Sequence, residues 1–126
     1  TKEGAIAFNE WYQLQMGEAL KTADSSTLRE YSRACAVCDN IADTADEFSE
    51  SGTKTNRNPY SVKSSSAKPR SDSGFRVEME IHLAEYYDVQ SDGSTGQPVK
   101  PATFTVVSNT QWENNHWVVR DLVRTK

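Results

Sequence analysis

The residues best placed to do chemistry in this sequence are two cysteines, Cys35 and Cys38, in a Cys-x-x-Cys arrangement. A zinc site needs four ligands, usually including a second cysteine pair or two close histidines. A redox site of this spacing normally follows a strand in a βαβ unit. The histidines, His82 and His116, are far apart, and no βαβ pattern surrounds the cysteines. Because one helical turn brings residues i and i+3 close enough to bridge, we predict a structural disulfide rather than redox catalysis or a metal site.

The second candidate for chemistry is Asp121, near the end of the chain. If the chain turns at residues 114–115, strand alternation sets Asp121 on the same face as Trp117 and directly opposite Ser108. A carboxylate among aromatic side chains can act as a base in a pocket. The alternative is a carboxylate that Ser108 binds near the rim of the sheet. We therefore predict no catalytic residue and assign Asp121 to a binding surface.

The remaining charged clusters are typical of solvated surface. The acidic residues of the segment 39–50 lack the loop spacing and the turn glycine of a calcium-binding loop, so we predict no metal or other cofactor. Basic residues are concentrated in a Ser/Asn/Pro-rich stretch, 53–74, which favours a solvated connector. The net charge is −4, whereas a nucleic-acid-binding surface usually shows as a basic patch, so no nucleic-acid partner is predicted.

Two long strands must position these residues. In segment 75–83 the odd-numbered positions are all apolar and the even-numbered positions are charged or His, which predicts a strand with one face in a core. Segment 103–123 predicts a hairpin with a tight turn at two asparagines, 114–115. The predicted cross-strand pairs are Trp112 with Trp117, Thr110 with Val119, Ser108 with Asp121, and Val106 with Val123.

Helical spacing predicts three helices before this sheet. The first covers residues 4–22, with an apolar stripe that includes Phe8, Trp11 and Tyr12, and with Gln13 on the opposite, polar side. A short second helix follows residue 24, and the third covers about 35–51 and ends at Gly52. After the helices we expect an edge strand at 60–62, a bulge or bend at 84–87 and the start of a strand near 102.

The length and composition fit one soluble domain, 1–126. No apolar run approaches the ~20 residues that span a membrane. The chain starts at Thr1 without an initiator methionine or a signal peptide, so we expect a processed or trimmed chain. Since disulfides persist in oxidising compartments, the cysteine pair indicates a location outside the cytoplasm.

Helices followed by a curved antiparallel sheet that ends in Trp-Val-Val-Arg-Asp-Leu, 117–122, resemble the nuclear transport factor two-like superfamily, also described as cystatin-like or SnoaL-like. The aromatic residues of 8–12, the segment 28–32 and the cysteine pair resemble more closely a domain-of-unknown-function family of actinobacterial envelope lipoproteins. This resemblance covers most of the chain. It implies an exported domain, anchored to the cell membrane through an N-terminal lipidated cysteine, and it implies no activity.

We therefore predict an α+β fold in which three N-terminal helices pack on a curved antiparallel sheet, a cone-shaped half-barrel. The predicted function is a non-enzymatic module that binds a small apolar ligand, a peptide or an envelope protein. The alternative is a SnoaL-like isomerase, cyclase or hydrolase that uses Asp121. The residues predicted to bound the mouth of the cone and to bind the ligand are Trp11, Tyr12, Phe104, Trp112, Trp117 and Asp121. The residues predicted to be buried are Phe8, Tyr12, Leu28, Ile41, Phe48, Phe75, Val77, Met79, Ile81, Phe104, Val106, Trp117 and Val119.

Overall fold

The polypeptide forms three helices and then antiparallel strands, in a computed structural model that describes residues 1–125. Residue 126, the last of the predicted domain, lies outside the described residues. The elements are α1 (Lys2–Thr22), α2 (Ser26–Glu30), α3 (Ala36–Ser51), β1 (Lys54–Thr55), β2 (Tyr60–Pro69), β3 (Phe75–Leu83), β4 (Asp88–Val89), β5 (Ala102–Glu113) and β6 (His116–Thr125). A four-stranded sheet has the order β2-β3-β5-β6, and β1 pairs with β4 in a second, two-stranded sheet. Every pair of strands is antiparallel, which confirms the predicted α+β fold.

Strand β3 is one of the two interior strands of the larger sheet. Its inward residues Val77, Met79 and Ile81 are fully buried against the helices, while Glu78 and Glu80 on the other face are exposed. The alternation of the sequence is therefore confirmed from residue 76 to residue 81, and the two last residues of the strand are both partly buried. The strand ends at Leu83, where the alternation of the sequence stops. Of the bulge or bend expected at 84–87, a bulge within β3 is therefore not formed.

The β5–β6 hairpin follows the predicted register close to its turn. The two asparagines of the turn, 114–115, both have positive φ, at 49° and 69°, a conformation that Asn tolerates better than most residues. Trp112 pairs with Trp117, and Thr110 pairs with Val119. These two predicted pairs are confirmed.

Farther from the turn, one extra residue in β6 shifts the register. Thr110 pairs with Val119, but the next residue of β5, Asn109, pairs with Asp121, so Arg120 is a bulge. After the bulge, alternation reverses, and residue 122 rather than 121 points into the core. Two predicted pairs are therefore wrong: Ser108 pairs with Leu122 rather than Asp121, and Val106 pairs with Arg124 rather than Val123.

Helix α1 packs on the concave face of the sheet through a stripe that differs from the predicted one. Gln13, predicted on the polar side, is buried, and so is Asn9 one turn before it. Trp11, which we expected to widen the apolar stripe, is 38% exposed. The face of α1 that contacts the sheet is therefore rotated toward Asn9 and Gln13. The positions of the apolar residues in the sequence do not by themselves reveal this rotation. Of the residues predicted to be buried, Phe8, Ile41, Phe48, Phe75 and Trp117 are only partly buried.

A close approach at Gly17 anchors the start of β2 on α1. The Asn58 side chain donates hydrogen bonds to the Leu14 carbonyl oxygen at 2.9 Å and to the Glu18 carboxylate at 3.0 Å, and it accepts one from the Tyr60 backbone N–H at 3.1 Å. A Cβ at residue 17 would lie 1.7 Å from the Asn58 Oδ1 atom. Glycine therefore allows the loop to approach the helix and sets the position of Tyr60.

Cys35 and Cys38 form the predicted disulfide at the start of α3. Both residues are buried, at 0% and 1% exposure. Cys35 is the N-cap of α3, and its sulfur accepts a hydrogen bond from the Cys38 backbone N–H. Just before it, the segment 31–33 covers part of the free edge of β6: the Val119 N–H donates to the Tyr31 carbonyl oxygen at 2.8 Å. The disulfide thus fixes the entry to α3 beside this edge.

Candidate functional site

A small cavity lies between α1, α3 and the concave face of the sheet, and we call it the cone cavity. Its volume is about 130 Å³. Six apolar side chains line it, together with three polar ones. The apolar residues are Met16, Val37, Ile41, Phe104, Val106 and Leu122, and the polar residues are Gln13, Tyr60 and Arg124.

Two strands and two helices position most of the residues that line the cone cavity. Phe104 and Val106 alternate along β5 on its inward face. Leu122 and Arg124 share that face on β6 because the bulge at Arg120 reverses the alternation. Helix α1 supplies residues 13 and 16, and α3 supplies residues 37 and 41, each pair at helical spacing. The buried members form the inner surface. The rim consists of three partly exposed residues and one exposed residue, which are Val37, Ile41 and Tyr60, and Arg124.

Gln13 is the polar residue at the inner surface of the cone cavity. It is only 2% exposed, and its side chain makes no hydrogen bond within residues 1–125. Its polar atoms are not among the buried unpaired side-chain atoms of the described residues, so they keep access to the cavity. A group that enters the cavity can therefore hydrogen-bond to Gln13.

Arg124 and Tyr60 place a cation and a hydroxyl group at the rim. The Arg124 guanidinium carbon lies 3.8 Å from the centroid of the Phe104 ring, a cation–π contact. Burial raises the pKa of Tyr60 to about 12, with a further increase from Tyr86 and an opposing effect from Arg124. The phenol is therefore protonated at neutral pH and can donate a hydrogen bond.

A buried polar network lies beside the cavity, where α1 meets β5. The Asn9 side-chain N–H donates to the Ala5 carbonyl oxygen at 2.8 Å and to the Thr110 hydroxyl at 2.9 Å. The Ser108 and Thr110 hydroxyls are 3.1 Å apart. All these polar groups have partners, so the network stabilises the helix–sheet contact rather than offering a free site.

Among the six residues predicted to bind a ligand, only Phe104 lines the cone cavity. Tyr12 is fully buried, and its hydroxyl donates to the Leu28 carbonyl oxygen at 2.9 Å. Asp121 is exposed, and its carboxylate accepts a hydrogen bond from the Leu122 N–H at 2.9 Å. The register shift therefore removes Asp121 from the face on which we expected it.

The three tryptophans lie on two other surfaces. Trp11 packs edge-on against Tyr31, with ring centroids 5.1 Å apart. Trp112 is 56% exposed and contacts Trp117 edge-on at 5.2 Å, in a shallow open groove that Phe75 also lines. The prediction that all six residues surround one mouth is wrong, because α1 presents a different face and the hairpin end lies away from the cavity.

The histidines take no part in the cone cavity. His82 lies on the outer face, with its Nδ1 atom 3.1 Å from the Thr103 hydroxyl. His116 is half-buried because its ring packs against Tyr31, with ring centroids 5.3 Å apart. Within residues 1–125, no three His, Cys, Asp or Glu residues are grouped to bind a metal ion. No helix in this part of the chain is both long and apolar enough to cross a membrane.

Comparison with solved structures supports the fold. The intermembrane space region of the chloroplast protein ARC6 aligns with a TM-score of 0.58 and 18% identity, over 90% of this chain and 88% of that chain. Aln2 from a Streptomyces species aligns with a TM-score of 0.56 and 10% identity, over 94% of this chain and 87% of that chain. No protein-family model and no curated protein sequence matches the chain. The likenesses are compatible with a nuclear transport factor two-like, cystatin-like fold, and at these identities they show the fold alone.

Proposed function

We propose that this chain is an extracytoplasmic binding domain whose cone cavity takes a small apolar group from a ligand. The observation that carries the proposal is the cavity itself, about 130 Å³ in volume with six apolar lining residues. An apolar cavity of about 150 Å³ in another protein admits benzene or xenon. Drug-sized sites are larger, at about 300–1,000 Å³. The group that enters should therefore be the size of one aromatic ring or a short branched alkyl chain.

The extracytoplasmic part of the proposal rests on the cysteines. The Cys35–Cys38 disulfide is expected in an oxidising compartment. The likeness to a domain from an intermembrane space is in keeping with such a location. The sequence resemblance to actinobacterial envelope lipoproteins leads us to propose, in addition, a lipid anchor N-terminal to the domain and a place among envelope proteins.

Binding without turnover is the better proposal because the cone cavity offers no carboxylate or imidazole for acid–base chemistry, and burial keeps its one phenol, that of Tyr60, neutral. None of the described residues that line it is Asp, Glu or His. The one carboxylate that we considered for catalysis, Asp121, lies on the outer face. General acid–base catalysis requires a titratable group within hydrogen-bond distance of the reacting atom.

Methyl NMR during a titration with toluene tests the proposal. We expect saturable shifts at the Met16 and Ile41 methyl groups in the unmodified protein. Val106→Phe fills the cavity and should abolish these shifts. Val123→Phe, an equal change on an exposed side chain of the neighbouring strand, should leave them intact. If toluene causes no saturable shift at Met16 or Ile41, or if Val106→Phe binds as well as the unmodified protein, the proposal fails.

A further inference from the structure

We propose that the ligand of the cone cavity is an organic carboxylate, with its apolar part inside and its carboxylate at the rim beside Arg124 and Tyr60. This inference rests on the proposed function and adds the chemical class of the ligand. It is carried by the arrangement of three polar groups, Arg124, Tyr60 and Gln13, around an otherwise apolar cavity.

Arg124 differs from most arginines of the chain in having no ion pair within residues 1–125. Its guanidinium contacts the face of Phe104 and is thereby positioned over one side of the cavity. A planar guanidinium suits a carboxylate, which it can bind through two parallel hydrogen bonds. Four of the other arginines form ion pairs with carboxylates of the chain: Arg29 with Asp43 and Asp46, Arg70 with Asp72, Arg76 with Glu78, and Arg120 with Glu113. Arg33 and Arg57 form none within residues 1–125, but neither lines the cone cavity.

The charge of the cavity also favours an anion. The whole chain has a net charge of −4, yet among the described residues that line the cone cavity the one charged side chain is positive. A cationic ligand would meet Arg124 without a counter-charge, and a neutral ligand would leave the guanidinium unpaired. A carboxylate therefore makes an interaction that neither alternative can make.

Tyr60 and Gln13 supply further hydrogen-bond donors. Within residues 1–125 neither side chain has a hydrogen-bond partner, and both line the same cavity as Arg124. The hydrogen bond from the Tyr60 backbone N–H to Asn58 fixes the start of β2, and with it the position of the phenol at the rim. Gln13 lies deeper and can bond to a second polar atom of the ligand. The apolar surface between them suits a ring or a branched chain.

The test compares benzoate, benzyl alcohol and benzylammonium by isothermal titration calorimetry. These probes have rings of the same size and differ in charge. We expect benzoate to bind on the order of tenfold more tightly than benzyl alcohol, and benzylammonium to bind most weakly. Arg124→Gln should remove the preference for benzoate, and Arg124→Lys should retain part of it. Arg76→Gln, the same change on the outer face, should leave the preference unchanged.

Two results would overturn the inference. If benzyl alcohol binds as tightly as benzoate, or if Arg124→Gln keeps the preference for benzoate, the carboxylate is not recognised at the rim, and the proposed function still stands. If none of the three probes binds while the protein remains folded by circular dichroism, the proposed function fails and the inference fails with it.

Discussion

Replacing Gly17 by alanine should destabilise the protein, although alanine is the better helix former. An added Cβ would lie 1.7 Å from the Asn58 Oδ1 atom and 2.4 Å from its Cγ atom, so the Asn58 side chain must move. That side chain makes three hydrogen bonds, to Leu14, to Glu18 and from the Tyr60 N–H. The substitution therefore improves helix propensity but disrupts the hydrogen bonds that hold the start of β2 on α1.

The balance of free energies favours a net loss. Alanine in place of glycine within a helix gains about 1 kcal/mol. Three hydrogen bonds at about 1 kcal/mol each would be weakened or lost. Overpacking of a closely fitted contact adds about 1–3 kcal/mol of destabilisation. With all three hydrogen bonds lost, we expect Gly17→Ala to lower the free energy of unfolding by about 3–5 kcal/mol.

Urea denaturation followed by circular dichroism measures this change. Asn58→Ala removes the obstructing side chain, so the double variant Gly17→Ala/Asn58→Ala should be more stable than the sum of the two single effects predicts. Gly96→Ala is the matched control, because its added Cβ would meet no atom closer than 3.9 Å, and its effect should stay within about 0.5 kcal/mol. A Gly17→Ala variant as stable as the unmodified protein would refute the reasoning.

Three further predictions follow from buried groups. Both sulfurs of the Cys35–Cys38 disulfide are buried, so mass spectrometry after alkylation should show reduction only in denaturant, and the double serine variant should lose about 2 kcal/mol of stability. Burial raises the pKa of Tyr12 to about 12 from the 10.0 of an unperturbed phenol. The preference of the folded state for the neutral phenol therefore stabilises the protein fully below pH 10, and this stabilisation is lost as the pH rises through 12. Tyr12→Phe should flatten the dependence of the urea midpoint on pH in this range. Thr110→Val removes a partner of the Asn9 amide and should cost about 1–3 kcal/mol in chemical denaturation, whereas Thr110→Ser keeps the hydroxyl and should cost less.

Much of the fold could be predicted from local sequence patterns. Alternation in β3 predicts its inward face, and the two asparagines at 114–115 predict the turn and the pairs beside it. The Cys-x-x-Cys spacing predicts the disulfide at the start of α3. In each case the physical cause lies within a few neighbouring residues, so the local sequence is sufficient to predict the feature.

The candidate site was harder to predict because its position depends on two long-range effects. Strict alternation places Asp121 inward, but the bulge at Arg120 turns Leu122 and Arg124 inward instead. A signal was present: the apolar Leu122 follows the charged Asp121, which contradicts unbroken alternation from Val119. The burial of Gln13 depends on the rotation of α1 against the sheet, which the hydrophobic pattern of one helix does not specify.

The central claim, an apolar cavity open to a small ligand, is tested most directly by the electron density of a crystal equilibrated with xenon under pressure. Xenon enters apolar cavities of this size and needs no hydrogen bonds. We expect a strong xenon peak among Met16, Val106 and Leu122 in the unmodified protein and none in Val106→Phe. A crystal with no xenon at this position, or with xenon only in the groove beside Trp112 and Trp117, would contradict it.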